Sequence, residues 1–293
     1  MDNNATNNSP MIEILKGLMT RYENRVSQVQ QVINAMMTEK LITSQDDIIN
    51  DHIAFRTLGV NHLGIQSLEK IFLAHGYQKQ DFYRFDHKKL NAYWYSPPPN
   101  SLNWPRIFIS ELCVNELSTN AQTIIRSYTD TVRTDPVNYL NLHDASAVDT
   151  FLHSPLWHTP TWGDYTTLLS ESEYASWVIY NRYYLNHFTI SVHHLPNSHN
   201  TIALFNPFLE RHGIVLNDAG GKIKVSRDGL LLQSATVSDK VSATFDDGNG
   251  GKLTQLIAGS YVEFAERREG RDGFDSQNAD KIFESTYRSQ TDH

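Results

Sequence analysis

Residues 51–58 read DHIAFRTL, and residues 186–195 read NHFTISVHHL. In both stretches a polar residue and a histidine lead into an alternation of apolar and polar side chains, the period of a β-strand. The same series of elements follows each. After the first come a helical stretch, SLEKIFLAHGY (67–77), then FYRFDHKKLNAYWYS (82–96) and PRIFISELCV (105–114). After the second come TIALFNPFLERHGI (201–214), KIKVSRDGLLLQSATVS (222–238) and LTQLIAGSYVEFAER (253–267). Each helix is followed by His-Gly, at His75-Gly76 and His212-Gly213, where glycine suits the positive φ of a C-cap. His52 to Gly76 spans 24 residues and His187 to Gly213 spans 26, which points to a duplication.

The duplication predicts an α+β fold with two βαβββ modules, over about 50–114 and 185–268. Such modules are expected to form a curved sheet or half-barrel around a cleft. The remaining segments are a polar tail over 1–9, one long or two shorter helices over 11–40, a helical insertion over 115–184 and a C-terminal lid or packing segment over 269–293. Within the insertion, Ser170-Glu171-Ser172-Glu173 suits a helix start, and Pro136, Pro155 and Pro160 interrupt helical patterns. All of it reads as a single catalytic domain over 1–293.

Composition narrows the function. Net charge is −8, with a pI near 5.9, so neither nucleic acid nor an anionic membrane is an expected partner. No apolar run is long enough for a membrane span, and the N-terminus does not resemble a signal peptide. The single cysteine, Cys113, excludes an internal disulfide and reads as a small buried hydrophobe. A cytoplasmic location is expected. No HExxH, GxSxG or phosphate-loop pattern is present. DDGNGG (246–251) reads as a hairpin turn.

Strand alternation places His52, Ala54 and Arg56 on one face. On equivalent faces lie His187, Thr189 and Ser191, and Tyr261, Glu263, Ala265 and Arg267. An ordinary half-buried strand turns such a face to water. Here two faces begin with histidine at equivalent repeat positions, and the third carries a glutamate among apolar neighbours. Two imidazoles and a carboxylate are the donor set of a 2-His-1-carboxylate metal site, which leaves coordination positions open. Arg56, read as roughly 7 Å along the strand from His52, suits capture of a substrate carboxylate, with a surface ion pair as the plainer reading. Gln233 interrupts an apolar run and reads as a substrate-orienting side chain or an ordinary exposed glutamine.

The motifs HIAFR (52–56), NHFT (186–189) and YVEFAER (261–267), with RIFISEL (106–112) and NADKIFEST (278–286), resemble the 2-oxoadipate dioxygenase/decarboxylase family. That family, once known only as a domain of unknown function, is itself similar to the vicinal oxygen chelate superfamily. The resemblance runs from about residue 10 to 290. It implies Fe(2+) held by His52, His187 and Glu263, with Arg56 taking the substrate carboxylate. It also implies conversion of a 2-oxo diacid, 2-oxoadipate, with O2 to 2-hydroxyglutarate and CO2, within lysine catabolism. The chain is shorter than many members. Two rival readings are a hydrolase or isomerase using Zn2+ or Ni2+ on the same scaffold, and a binding protein without turnover.

Overall fold

The computed structural model describes residues 9–101 and 103–292. The tail expected over 1–9 lies outside them except for Ser9. Two helices precede the first module, α1 (Pro10–Arg25) and α2 (Ser27–Thr38), separated by an extended Val26 with φ −116° and ψ 92°. The chain then divides into two units. The first holds Phe55–Leu185, Ser242–Ile257 and the described residues up to Tyr22. The second holds Glu23–Ala54, Asn186–Val241 and the described residues from Ala258 onward. Strand β1 (Asn50–Leu58) begins in the second unit and ends in the first.

In the first unit β1 is followed by α3 (Ile65–Leu73), β2 (Gln78–Phe85), β3 (Leu90–Ser96) and β4 (Arg106–Leu112), a βαβββ series with strand order β2-β3-β4-β1. Four helices fill the insertion: α4 (Thr119–Thr129), α5 (Ala145–His153), α6 (Trp162–Glu171) and α7 (Glu173–Asn181). Each is capped by the residue before it. The side chains of Ser118, Asp144, Thr161 and Ser172 accept the backbone N–H three residues on, which satisfies a donor the helix leaves open. Cys113 is half-buried rather than buried, and its Sγ accepts from the Arg84 guanidinium at 2.9 Å.

In the second unit β5 (His187–Ser191) leads to α8 (Ile202–Arg211), β6 (Lys224–Val225) and β7 (Leu231–Ala235). In sequence, a hairpin of β8 (Lys240–Asp246) and β9 (Lys252–Ala258), most of which (Ser242–Ile257) belongs to the first unit, interrupts the series before β10 (Tyr261–Arg267) completes it. The hairpin tip is the DDGNGG segment, where the Asp247 carboxylate accepts the N–H groups of Asn249 and Gly251 at 2.7 and 2.9 Å. The strand order is β1-β5-β10-β7-β6. Within each unit the neighbours correspond: β2 with β6, β3 with β7, β4 with β10.

The two helix ends also match. Gly76 and Gly213 have φ of 86° and 78°, and the following residues close the same six-residue turn, Tyr77 N–H to Phe72 O and Ile214 N–H to Leu209 O. Helix α8 buries Ile202, Phe205, Phe208 and Leu209 on its inner face, with the Phe205 ring against Phe264 of β10 at 5.2 Å. Each such side chain removed from water contributes about 1.5–3 kcal/mol, so β10 is fixed firmly under α8. The chain ends in α9 (Ser276–Ile282) and α10 (Arg288–Thr291). No helix of the described residues is long and apolar enough to cross a membrane.

Candidate metal centre

The second unit brings three strands of the expected chemistry side by side. β5 pairs antiparallel with β1 and parallel with β10. The register places Thr189 opposite His52 on one side and Glu263 on the other. His52 and Glu263 therefore flank one position of β5, and His187 lies two residues away on that strand, on the same face. The ligand atoms of His52, His187 and Glu263 all fall within 4.8 Å of one another. His187 Nε2 is 3.1 Å from Glu263 Oε2, and His52 Nε2 is 3.5 Å from Glu263 Oε1. The three residues are at most 5% exposed.

Each histidine is oriented by the residue before it. Asp51 Oδ1 accepts from His52 Nδ1 at 2.8 Å, and Asn186 Oδ1 accepts from His187 Nδ1 at 3.0 Å. Both rings are thereby held with Nε2 towards the centre. Strict alternation would turn Asp51 to the opposite face from His52. The pairing slips between Asn50, opposite Ile190, and His52, opposite Thr189, and this irregularity frees Asp51 to turn back. Asn186 precedes the first residue of β5 and is not bound by alternation.

Asp51 is in turn gripped by Arg267 of β10, Nε at 2.6 Å to Oδ2 and an amino group at 2.8 Å to Oδ1. Arg267 also donates to the carbonyl of Gly273 at 2.7 Å, and the Phe274 ring stands edge-on to His52 at 4.7 Å between centroids. The C-terminal segment thus packs directly over a candidate ligand.

The ionisation states suit a cation. Burial pushes Glu263 up, but His52 and His187 outweigh it and bring its carboxyl down to about 2. Burial pulls His52 down, yet the Glu263 and Asp51 carboxylates leave it raised. Burial also opposes the charge on Asp51, which the Arg267 guanidinium and His52 hold well below the usual carboxylate range. The buried carboxylate therefore draws positive charge to the centre. Two Nε2 atoms and one carboxylate, converging in a buried site with the Nδ1 side of each imidazole already bonded, fit a divalent metal.

The Gln233 side chain is 3% exposed, and both ends of its amide are engaged: Nε2 donates to Glu263 Oε1 at 2.6 Å and Oε1 accepts from Asn278. Arg56 lies in the first unit, 1% exposed, with its guanidinium over the rings of Tyr174 and Trp177 at 5.2 and 5.3 Å. Arg56 is four positions beyond His52, so the strand rise places it about 13 Å along β1, not the 7 Å expected, which corresponds to a two-position offset. A cavity of about 470 Å³ in the first unit contains none of the expected site residues. Its cations face neighbours of their own, Lys79 on Glu69 at 2.8 Å and Arg126 on Asn115 at 2.7 Å.

Comparison with known proteins places this architecture. The family model described as 2-oxoadipate dioxygenase/decarboxylase matches residues 14–270. The chain belongs to this family. As a member it is an enzyme acting on a small molecule. A 2-oxoadipate dioxygenase/decarboxylase of Arabidopsis thaliana is 41% identical over 94% of this chain and 77% of its own length. The crystal structure of hydroxyglutarate synthase from Oryza sativa, in complex with 2-oxoadipate, is 40% identical, covers 94% of this chain and 92% of its own, and superposes with a TM-score of 0.83. A glyoxalase-superfamily structure from Ralstonia eutropha, 21% identical over 90% of this chain and 85% of its own, shares the fold with a TM-score of 0.72. The α+β, vicinal-oxygen-chelate-like class is thus borne out.

The cytoplasmic expectation is overturned. The Arabidopsis relative is named as chloroplastic, and composition carries no information about compartment. The expected ligands converge, whereas Asp51, Asn186, Arg267, Phe274 and Asn278 did not figure as site residues. The polar residue before each histidine was a visible signal for Asp51 and Asn186. Strand alternation put Arg267 on the face of Glu263, but nothing in sequence spacing marked it as the partner of Asp51, or Phe274 and Asn278 as neighbours of the centre.

Proposed function

We propose that this chain is an Fe(2+)-dependent dioxygenase that converts 2-oxoadipate and O2 to 2-hydroxyglutarate and CO2. The reading is carried by the convergence of His52, His187 and Glu263 in a buried site of a chain belonging to the 2-oxoadipate dioxygenase/decarboxylase family. The Oryza sativa relative with 2-oxoadipate bound supports the substrate. With that substrate goes the place in lysine catabolism that the resemblance carries.

In this reading His52 and His187 hold the metal through Nε2 and Glu263 through its carboxylate. Iron, when bound, supplies the redox chemistry that lets O2 react with a 2-oxo acid. The protein's own part is arrangement. Asp51 and Asn186 fix both imidazole tautomers, and Arg267 keeps Asp51 charged and in place. Phe274 and the turn before it cover the His52 edge and keep water from it. Arg56 takes a substrate carboxylate. A guanidinium packed on two aromatic rings loses little freedom when it binds a planar anion, which supports that role. Gln233 orients the centre through Glu263 as well as facing substrate.

The test is anaerobic loading with Fe(2+), followed by an oxygen-electrode assay with 2-oxoadipate and product identification. Stoichiometric O2 uptake with release of CO2 and 2-hydroxyglutarate is expected. Turnover without O2 consumption favours the hydrolase or isomerase reading, and an absence of turnover with any 2-oxo diacid overturns the oxygenase.

A further inference from the structure

Glu263 Oε1 is held by a buried chain of amides that ends outside the strands. Gln233 Nε2 donates to Glu263 Oε1 at 2.6 Å, and Asn278 Nδ2 donates to Gln233 Oε1 at 3.0 Å. Asn278 Nδ2 also lies 3.2 Å from the carbonyl of Leu231 and 3.4 Å from that of Lys224. Asn278 and Gln233 are each 3% exposed and Glu263 is 1% exposed, so water is a poor substitute partner for any of them.

The polarity of this chain is determined at both ends. An amide oxygen and an amide nitrogen have nearly the same shape, so packing alone does not choose between the two orientations of Gln233. At one end, Glu263 is an acceptor and requires the Gln233 NH2. At the other, the two backbone carbonyls beside Asn278 require its NH2 there, which leaves Gln233 to present its oxygen. Asn278 is itself anchored. Asp275 caps α9, with Oδ1 accepting the N–H groups of Gln277 and Asn278 at 2.9 and 3.2 Å. Helix α9 is thereby connected to a candidate ligand 15 residues earlier in the chain.

We propose that Asn278 is a positioning residue for the metal centre: it holds Gln233 in the one orientation that donates to Glu263, and so fixes how that carboxylate is offered to a metal. The proposal rests on the reading of His52, His187 and Glu263 as metal ligands. It makes α9 part of the site's construction, acting through Gln233 alone.

The experiment is a double-mutant cycle read by Co2+ affinity of the full-length metal-free chain, followed by the visible absorption of the bound ion. Asn278→Ala and Gln233→Ala are each expected to weaken Co2+ binding about tenfold, the lower end of what loss of an outer partner costs. The double variant is expected to match Gln233→Ala, because Asn278 has no effect once Gln233 is gone. Asn278→Asp, nearly isosteric, is expected to weaken binding further, since its carboxylate repels the Gln233 oxygen and turns that amide around. It also keeps the proposal testable if the alanine variant does not fold. A purely structural role for Asn278 lowers the melting temperature of the metal-free protein equally in both backgrounds and leaves Co2+ affinity within twofold. That result overturns the relay, as do losses that multiply in the double variant. His187→Ala separates the two claims. If wild type and His187→Ala bind Co2+ equally, the metal reading falls and the relay with it. If His187→Ala loses the ion while Asn278→Ala and Asn278→Asp keep it, only the relay falls.

Discussion

Asp51 Oδ1 receives the Nδ1–H of its own neighbour His52 at 2.8 Å, and a slip in strand pairing makes that contact possible. The equivalent pair in the second module, Asn186 with His187, has the same geometry with a neutral acceptor. One imidazole is thus backed by a charge and the other by an amide. The charged partner makes His52 the more basic donor to a cation.

Asn186 offers a clean separation of metal affinity from stability. Its Nδ2 is buried and has no hydrogen-bond partner among the described residues, so the side chain carries an unsatisfied donor. Asn186→Leu is expected to weaken Co2+ binding about tenfold while leaving the melting temperature of the metal-free protein close to the wild-type value, because the unsatisfied Nδ2 is removed as the His187 Nδ1–H loses its acceptor. Affinity and melting curves on the same sample check it, and unchanged affinity refutes the orienting role.

Arg267 should matter most for stability. Asp51 is 2% exposed and Arg267 9%, and they meet through two hydrogen bonds. Arg267→Met leaves a buried carboxylate without its cation, at a cost of about 3–5 kcal/mol. Urea unfolding of the metal-free chain measures this. Adding Asp51→Asn is expected to recover a large part of the loss, because the uncompensated charge is removed; a double variant no more stable than the single one contradicts the assignment.

Lys224 gives a pH signature of the fold. Burial drives its ammonium down from 10.5 to about 8, and Glu263, Asp218 and Glu284 offset that only in part. Its Nζ donates to the Asn217 carbonyl at 2.6 Å. Between pH 8 and 10.5 the unfolded chain holds this proton and the folded chain releases it, so its effect on stability becomes more favourable as pH rises. Lys224→Met removes the penalty. Its stability relative to wild type is expected to be most favourable near pH 7 and to fall by about 3 kcal/mol by pH 10.5. Parallel unfolding profiles across that range refute the claim.

Arg56 is the substrate-side test. Lysine keeps the charge but lacks the planar fork and the stacking on Tyr174 and Trp177. Arg56→Lys is expected to raise KM for 2-oxoadipate at least tenfold while Co2+ affinity stays at the wild-type level. Steady-state kinetics with a parallel metal titration distinguish the two, and an unchanged KM argues against carboxylate capture.

Much of this protein was determined by local sequence. The alternation in DHIAFRTL and NHFTISVHHL, and the His-Gly ends of α3 and α8, set the two modules, because side-chain period and the positive φ of glycine are properties of a few adjacent residues. They also put His52, His187 and Glu263 on polar faces. Tertiary structure decided what those faces do. Only the pairing of β5 with both β1 and β10 makes three residues, up to 211 positions apart, converge within 4.8 Å. The slip that turns Asp51, the reach of Arg267 across to it, the β8–β9 hairpin that interrupts the second module and the descent of Asn278 onto Gln233 are likewise absent from any local pattern. Each depends on which strands become neighbours and in what register, and that is chosen by burial of the whole apolar surface rather than by the residues that gain the contact.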